Sequence, residues 1–407
     1  MTSRKRQPGT RLCWATLLFL LTIAPSIGWG QATAPLPPAA QEAFDKGITA
    51  AREQGYLVAI RYLQDARKLA PQAPQIYRSL GAVEAKIPGR ELRAIAWYGA
   101  YLAAFPNAPD AAEVIKEIGR LEVKSQIYIS GLIKSVQDAA SQMSGDNESG
   151  DKSRNLKDVA DLWLESGDIA SAEKTTELIR FAHFKSLALI DIAEAKIRAG
   201  DLAGAKITFA SALKCADLIA AEPSFGIQSS ATTKSRRQAG IAIAQAKSGD
   251  IAGAQKTADL IKDVHKAYAQ RDIAEAQAKG GDIAGALKTA DLIQDADLKK
   301  QAQEAIAEAQ TKASNTYATN PTRQSTSAPP VQSVITASDW LKKLDDGDKS
   351  NDCPLNTGPF LDLAGYLKSL PPSNDPSTVF RPLHEIARKI VTAQNVITGI
   401  LKQQAKP

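Results

Sequence analysis

The phrase Gly249-Asp-Ile-Ala-Gly-Ala254 returns letter for letter at Gly281–Ala286, thirty-two residues later. Related phrases begin at Gly167 (GDIASA) and Gly200 (GDLAGA), so one unit is written four times. Repetition at a period of about 20–50 residues is typical of stacked units, because a lone helical pair cannot bury its apolar face. The repeat therefore predicts an all-α protein and favours a binding scaffold over an enzyme.

The two first residues of each phrase predict where helices end and begin. Glycine adopts the left-handed conformation that closes a helix, and the aspartate side chain accepts a hydrogen bond from the first amides of the next helix. The intervals between the four glycines are 33, 49 and 32 residues. We interpret the long interval as seven extra helical residues before Cys215–Ile219, which preserve the buried face, plus an inserted loop around 222–233.

A more orthodox repeat lies upstream of these phrases. Gly47, Ala59, Leu63, Ala66 and Pro71 follow the small, alanine, bulky, small and proline positions of the tetratricopeptide repeat, which this segment resembles. A second copy matches at Gly81, Ala94, Tyr98, Tyr101 and Pro106, with a bulky Tyr101 in place of a small residue. The Gly-Asp units resemble the same family without its closing proline. Asp110 is expected to cap a third helix.

The resemblance implies two α-hairpin solenoid arrays joined by a flexible linker, with a small, mostly helical C-terminal region. The last helix places Leu383, Ile386, Ile390, Ile397 and Leu401 on one stripe, which either docks on its own domain or meets a partner or dimer helix. The predicted segments are a signal peptide (1–30), a Pro/Ala linker (31–40), a tetratricopeptide-like domain (41–141), a linker (142–154), the Gly-Asp solenoid (155–313), a disordered linker (314–335) and the C-terminal region (336–407).

The N-terminus predicts export from the cytoplasm. Four basic residues between Arg4 and Arg11 precede the apolar run Leu12–Ile27, and small residues offer cleavage sites around 30–34. The alternative is an uncleaved signal that anchors the chain in the inner membrane. The formal net charge is 50 − 44 = +6, and the signal contributes four of the cations, which leaves about +2. A nucleic-acid partner is therefore not expected, because no concentrated basic face is visible. The expected location is periplasmic or secreted.

Residue types that carry catalysis are sparse. His183, His265 and His384 fall in predicted helices outside any recognisable catalytic motif, so we interpret them as packing or surface residues. After cleavage two cysteines remain, Cys215 and Cys353, and the sequence leaves open whether they pair. No cofactor is predicted.

One acidic loop carries a superficial resemblance to a calcium site. Aspartates alternate in DDGDKSNDC at 345–353, but Asn351 stands at the turn glycine and Thr357 at the closing glutamate. A solvated turn is therefore preferred and no metal is predicted. The alternative function is an envelope enzyme subunit, or a ligand- or metal-binding module, whose activity lies in the C-terminal region.

The resemblance places a partner-binding groove on the first helices of the repeats. In tetratricopeptide arrays these helices line a concave surface that takes peptides, and clamp-type members hold a terminal carboxylate there with Asn and Lys. Phe44 and Ile48 break that pattern, so a carboxylate clamp is not expected. The expected function is a non-enzymatic exported scaffold for protein–protein interaction in the bacterial cell envelope, with a protein or peptide ligand. The groove residues are Phe44, Ile48, Arg78, Lys157, Asp161, Glu194, Arg271 and Glu275.

Overall fold

The computed structural model of the chain describes residues 35–143, 150–221, 229–318 and 376–404. Within these ranges there is no strand, and fifteen α-helices and one short 3-10 helix make up the fold. The prediction of an all-α protein is therefore confirmed. The helices are α1 (Pro38–Arg52), α2 (Tyr56–Leu69), α3 (Pro74–Glu84), α4 (Glu91–Ala104), α5 (Ala111–Gln142), α6 (Asp151–Glu165), α7 (Ile169–Glu177), α8 (Ala182–Arg198), α9 (Leu202–Leu218), α10 (Ser230–Lys247), α11 (Ile251–Asp259), α12 (His265–Lys279), α13 (Ile283–Asp291), α14 (Ala296–Ala318) and α15 (Pro376–Gln404).

Several predicted features lie outside the described residues. They are the signal peptide, residues 31–34 of the Pro/Ala linker, the acidic loop at 345–353 with Cys353, and residues 319–335 of the predicted linker at 314–335. At four predicted borders a helix extends into the linker: α1 begins at Pro38, α5 continues to Gln142, α6 begins at Asp151 and α14 continues to Ala318. None of the described helices is long and apolar enough to cross a membrane.

The two N-terminal helix pairs pack through the small residues that the sequence singled out. A Cβ added to Gly47 would lie 2.8 Å from Leu63 Cγ, and one added to Gly81 would lie 2.7 Å from the Tyr98 ring. Neither contact is possible for a real side chain, so each glycine lets a bulky residue of the second helix seat against the first. The second helices, α2 and α4, end two residues before Pro71 and Pro106, as expected of a residue that cannot continue the helical hydrogen bonds.

Asp110 corrects one expectation. It precedes α5, but its side chain accepts no hydrogen bond from the amides of that helix. Instead Arg78 Nε donates to Asp110 Oδ2, and Tyr101 Oη donates to Asp110 Oδ1 at 2.6 Å. The carboxylate therefore ties α3 and α4 to the start of α5, and the bulky Tyr101, which departs from the repeat pattern, supplies one of the bonds.

The four Gly-Asp phrases form four equivalent junctions. Gly167, Gly200, Gly249 and Gly281 have φ of +86 to +87°, a left-handed conformation that costs a non-glycine residue about 1–2 kcal/mol. At the last junction the Gly281 amide donates to Ala278 O at 3.1 Å, and the Asp282 amide donates to Gln277 O at 2.9 Å. This pair of backbone hydrogen bonds is the Schellman motif that ends a helix. The predicted glycine role is confirmed at all four positions.

The aspartates of the four phrases begin the next helices. In each case the carboxylate accepts a hydrogen bond from the amide three residues later, as Asp282 does from Gly285 at 2.9 Å. The other three pairs are Asp168 with Ser171, Asp201 with Gly204 and Asp250 with Gly253. One dipeptide thus ends one helix and starts another, which confirms the predicted aspartate cap.

A buried threonine links each second helix to a neighbouring helix, and the sequence analysis did not predict it. Eight residues after each glycine stands a threonine that is at most 6% exposed. Thr257 Oγ1 donates to Gln245 Oε1, and Thr289 Oγ1 donates to Gln277 Oε1, both at 2.7 Å. In the earlier units Lys196 Nζ donates to Thr208 Oγ1 at 3.0 Å, and Thr175 Oγ1 donates to Gln137 Oε1 at 3.1 Å. The four threonines thus join second helices to neighbouring helices.

The long interval between repeats lies partly in α9. This helix has 17 residues, whereas α7, α11 and α13 have nine each. Phe209, Ala212 and Ala216 continue the buried stripe along the extension, as the preserved-face interpretation requires. Cys215 lies half-buried in the same helix.

The last helix returns to the middle of the chain. Phe380, Leu383, Ile386 and Ile390 of α15 share a hydrophobic core with α5 and α6, and Ile397 reaches the core of the N-terminal hairpins. Its polar side chains add two anchors: Gln394 Nε2 to Gln126 Oε1 at 2.5 Å and Asn395 Nδ2 to Glu165 O at 3.0 Å. The predicted stripe therefore docks on the chain's own helices.

We predict that Gly281→Ala lowers the free energy of unfolding by about 1–2 kcal/mol, because alanine must adopt the left-handed conformation there. No atom lies within 4 Å of the added Cβ, so the loss is conformational. Gly280→Ala is the matched control, since Gly280 has φ of −79° and alanine there is expected to stabilise slightly. Urea unfolding of both variants measures the difference. Equal effects of the two substitutions would contradict this account of the junction.

Candidate functional site

The first helices of the Gly-Asp units lie side by side. In chain order, α6 packs on α8, α8 on α10, α10 on α12 and α12 on α14. The second helices α7, α9, α11 and α13 each pack between two successive first helices. We call the surface of α6, α8, α10, α12 and α14 the first-helix row, and it carries five of the eight predicted groove residues.

Lys157 and Asp161 lie together at the α6 end of the row. Lys157 Nζ is 2.6 Å from Asp161 Oδ2 and 3.1 Å from Asp191 Oδ2 on α8. One ammonium is therefore shared by two carboxylates, which leaves an excess negative charge. The Lys157 side chain is only 20% exposed, so water screens this charge incompletely.

Burial controls the protonation of this acidic group. It raises the pKa of Asp161 to about 6, with repulsion from Asp191 and Asp158 acting in the same direction and Lys157 opposing it. The two carboxylates raise the pKa of Lys157 despite its burial, so the ammonium stays charged. A raised pKa of Lys157 is the shift expected of an ammonium that pairs with two carboxylates. Asp161 is therefore an acid of the row that titrates close to neutral pH.

Arg271 and Glu275 lie on α12, away from the Lys157 cluster. Arg271 Nη2 is 2.6 Å from Asp272 Oδ1, and Arg271 Nη1 donates to Gln301 Oε1 of α14 at 3.2 Å. Glu275 pairs with Lys279 at 2.5 Å on the same helix. Glu194, on α8, lies 4.0 Å from Arg198. Glu194, Arg271 and Glu275 are thus distributed along the row and do not form one cluster.

The three groove residues predicted upstream have other roles in the structure. Phe44 is only 6% exposed and belongs to the core of the N-terminal hairpins, where packing accounts for it. Ile48 is half-buried against the same core. Arg78 is held by Asp110, as described above. Phe44 is therefore a packing residue and Arg78 is paired within its own domain, whereas a partner contact through Ile48 stays a prediction.

Sequence reasoning overlooked a basic cluster on the row. Arg236 and Arg237 of α10 and Arg154 of α6 all act electrostatically on His183 of α8. Their repulsion adds to the effect of burial, which lowers the pKa of His183 to about 4, so the imidazole is neutral at pH 7. The dipeptide Arg236-Arg237 was visible in the sequence, but the helix packing that brings Arg154 beside it was not.

The histidines occupy packing positions. The His183 ring lies edge-on to Phe184 with centroids 4.8 Å apart, and the His384 ring stacks on Phe380 at 5.5 Å. His265 Nδ1 lies 2.9 Å from Asp263 Oδ1. Among the described residues no three His, Cys, Asp or Glu side chains gather in a way that could hold a metal ion.

No protein-family model and no curated protein sequence matches this chain.

We predict that Asp161→Asn stabilises the protein at pH 7 and that this gain shrinks as the pH falls from about 6 to below 4. Because the folded-state pKa of Asp161 is raised to about 6 from 3.8, the stability it contributes is complete below 3.8 and is lost as the pH rises through 6. Urea unfolding between pH 4 and 7 measures the effect. The control is Asp291→Asn, at a side chain that is 73% exposed. A gain that does not change with pH, or a loss at pH 7, would contradict the prediction.

Proposed function

We propose that this chain is an exported, tetratricopeptide-like repeat protein that holds another protein in the bacterial cell envelope. Its two arrays of α-hairpins act as solenoids, one before α5 and one built on the Gly-Asp junctions. The ligand is a protein or peptide segment that lies along the first-helix row. Its role is non-enzymatic.

The continuity of the first-helix row is the observation that carries this proposal. Five helices pack in sequence along one side of the array, and polar bonds cross between neighbours, such as Lys157 to Asp191 and Arg271 to Gln301. The buried threonine bonds lie between the packed helices instead of on this surface. The row therefore offers mixed charge to a ligand.

Placement in the envelope rests on the N-terminal sequence. A basic segment, an apolar run of signal-peptide length and small residues around 30–34 support export through a cleavable signal. N-terminal sequencing of the protein purified from cells tests this part by itself. A first residue near 31–35 is expected, and a chain that still begins at Met1 would contradict cleavage.

Site-directed photo-cross-linking in cells tests the docking surface. A photo-reactive phenylalanine at Glu275, on the first-helix row, is expected to capture one reproducible protein. The matched control is Lys256, an exposed residue of the second helix α11. Cross-links from Glu275 alone support the proposal. The same pattern from both positions, or no product from Glu275, would contradict it.

A further inference from the structure

One buried nitrogen of a charged side chain on the first-helix row lacks a hydrogen-bond partner among the described residues. Arg237 Nε is buried, and among the described residues it finds no hydrogen-bond acceptor. A guanidinium has five N–H donors and no means of losing its charge in this setting. A buried donor without an acceptor is costly, and more so when the group is charged. Such a group points to an acceptor that arrives from outside.

The surroundings of Arg237 favour an incoming anion. Burial and repulsion from Arg236 lower the pKa of Arg237 to about 10, and Asp191 offsets this only in part. Asp191 is already committed to Lys157 at 3.1 Å. Arg237 therefore remains a cation at neutral pH, and the acid of α8 that acts on it is occupied by another partner.

The surface next to Arg237 leaves room for a peptide. Arg236, Gly240 and Ile243 share one face of α10 by helical spacing, and Arg237 borders it. Gly240 contributes no side chain, and the only atom near its added Cβ is Ile190 Cδ1, at 3.8 Å. Ile243 is half-buried at the far end of this face. A chain could pass from a charged anchor over a glycine to a shallow apolar contact.

Nearby acids select the kind of anion. Asp191 of α8 acts on Arg237, and Asp158 and Asp161 lie on α6, the next helix of the row, with Lys157 between Asp161 and Asp191. A polyphosphate backbone would bring several charges against these carboxylates. A single carboxylate placed at Arg237 avoids them.

We propose that Arg237 anchors an acidic side chain of the partner protein, and that the partner's adjoining apolar residue passes over Gly240 towards Ile243. This inference rests on the proposed scaffold function and specifies the chemistry of its ligand.

Selection of peptides on the full chain tests the proposal, because it does not require the partner to be identified first. A random dodecapeptide phage library is selected on the immobilised protein, and the enriched peptides are synthesised for affinity measurement. We expect an Asp or Glu at a fixed position beside an apolar residue. Arg237→Gln is expected to weaken binding at least about tenfold, as for loss of a charge-assisted hydrogen bond, while Arg237→Lys retains part of the affinity.

The matched control is Arg198→Gln, on the same row at a side chain that is 67% exposed, and it should leave the affinity unchanged. Circular dichroism of each variant checks that the fold is retained. Enriched peptides without an acid, or with equal affinity for Arg237→Gln, would overturn the anchor and leave the scaffold function standing. Preferential binding of a thymidine oligonucleotide through Arg237 would also overturn it. Failure to select any peptide, together with no cross-link from Glu275, would overturn both proposals.

Discussion

The left-handed glycine of the Gly-Asp junction is the constraint on which the repeat array depends. At φ near +87° the chain leaves one helix and reverses within two residues, and the aspartate carboxylate begins the next helix at once. Because the turn is short and identical four times, successive helices meet at fixed positions. The small alanines that follow, such as Ala254 and Ala286, are completely buried and allow close contact.

The same junction determines where binding can occur. Each second helix lies between two first helices and buries part of its apolar surface there, although Leu202, Ile207 and Leu218 of α9 stay exposed. The first helices meet one another edge to edge and leave a polar side for charged residues. Within this row the buried Nε of Arg237 has no acceptor among the described residues. That mismatch is the chemical basis for assigning an acidic ligand to this surface.

Local sequence was sufficient for the helices and their ends. Glycine at a helix end, aspartate at the next start and proline after α2 and α4 act within a few residues, so the sequence predicts them well. Contacts between distant helices were harder. The threonine eight residues after each glycine is repeated in the sequence, but its hydrogen bond could not be predicted because the partner lies on a different helix. Arg78 likewise matched a groove position, yet the fold brings it to Asp110, thirty-two residues away.

A double-mutant cycle on Thr289 and Gln277 tests most directly whether the buried threonine bond holds the two helices of a Gly-Asp unit together. Thr289→Val and Gln277→Leu are made singly and together, and urea unfolding gives the three changes in free energy. We predict a favourable coupling of about 1 kcal/mol, since each single change leaves a buried polar group unpaired and the double change does not. Single effects that add to within about 0.3 kcal/mol would contradict the claim.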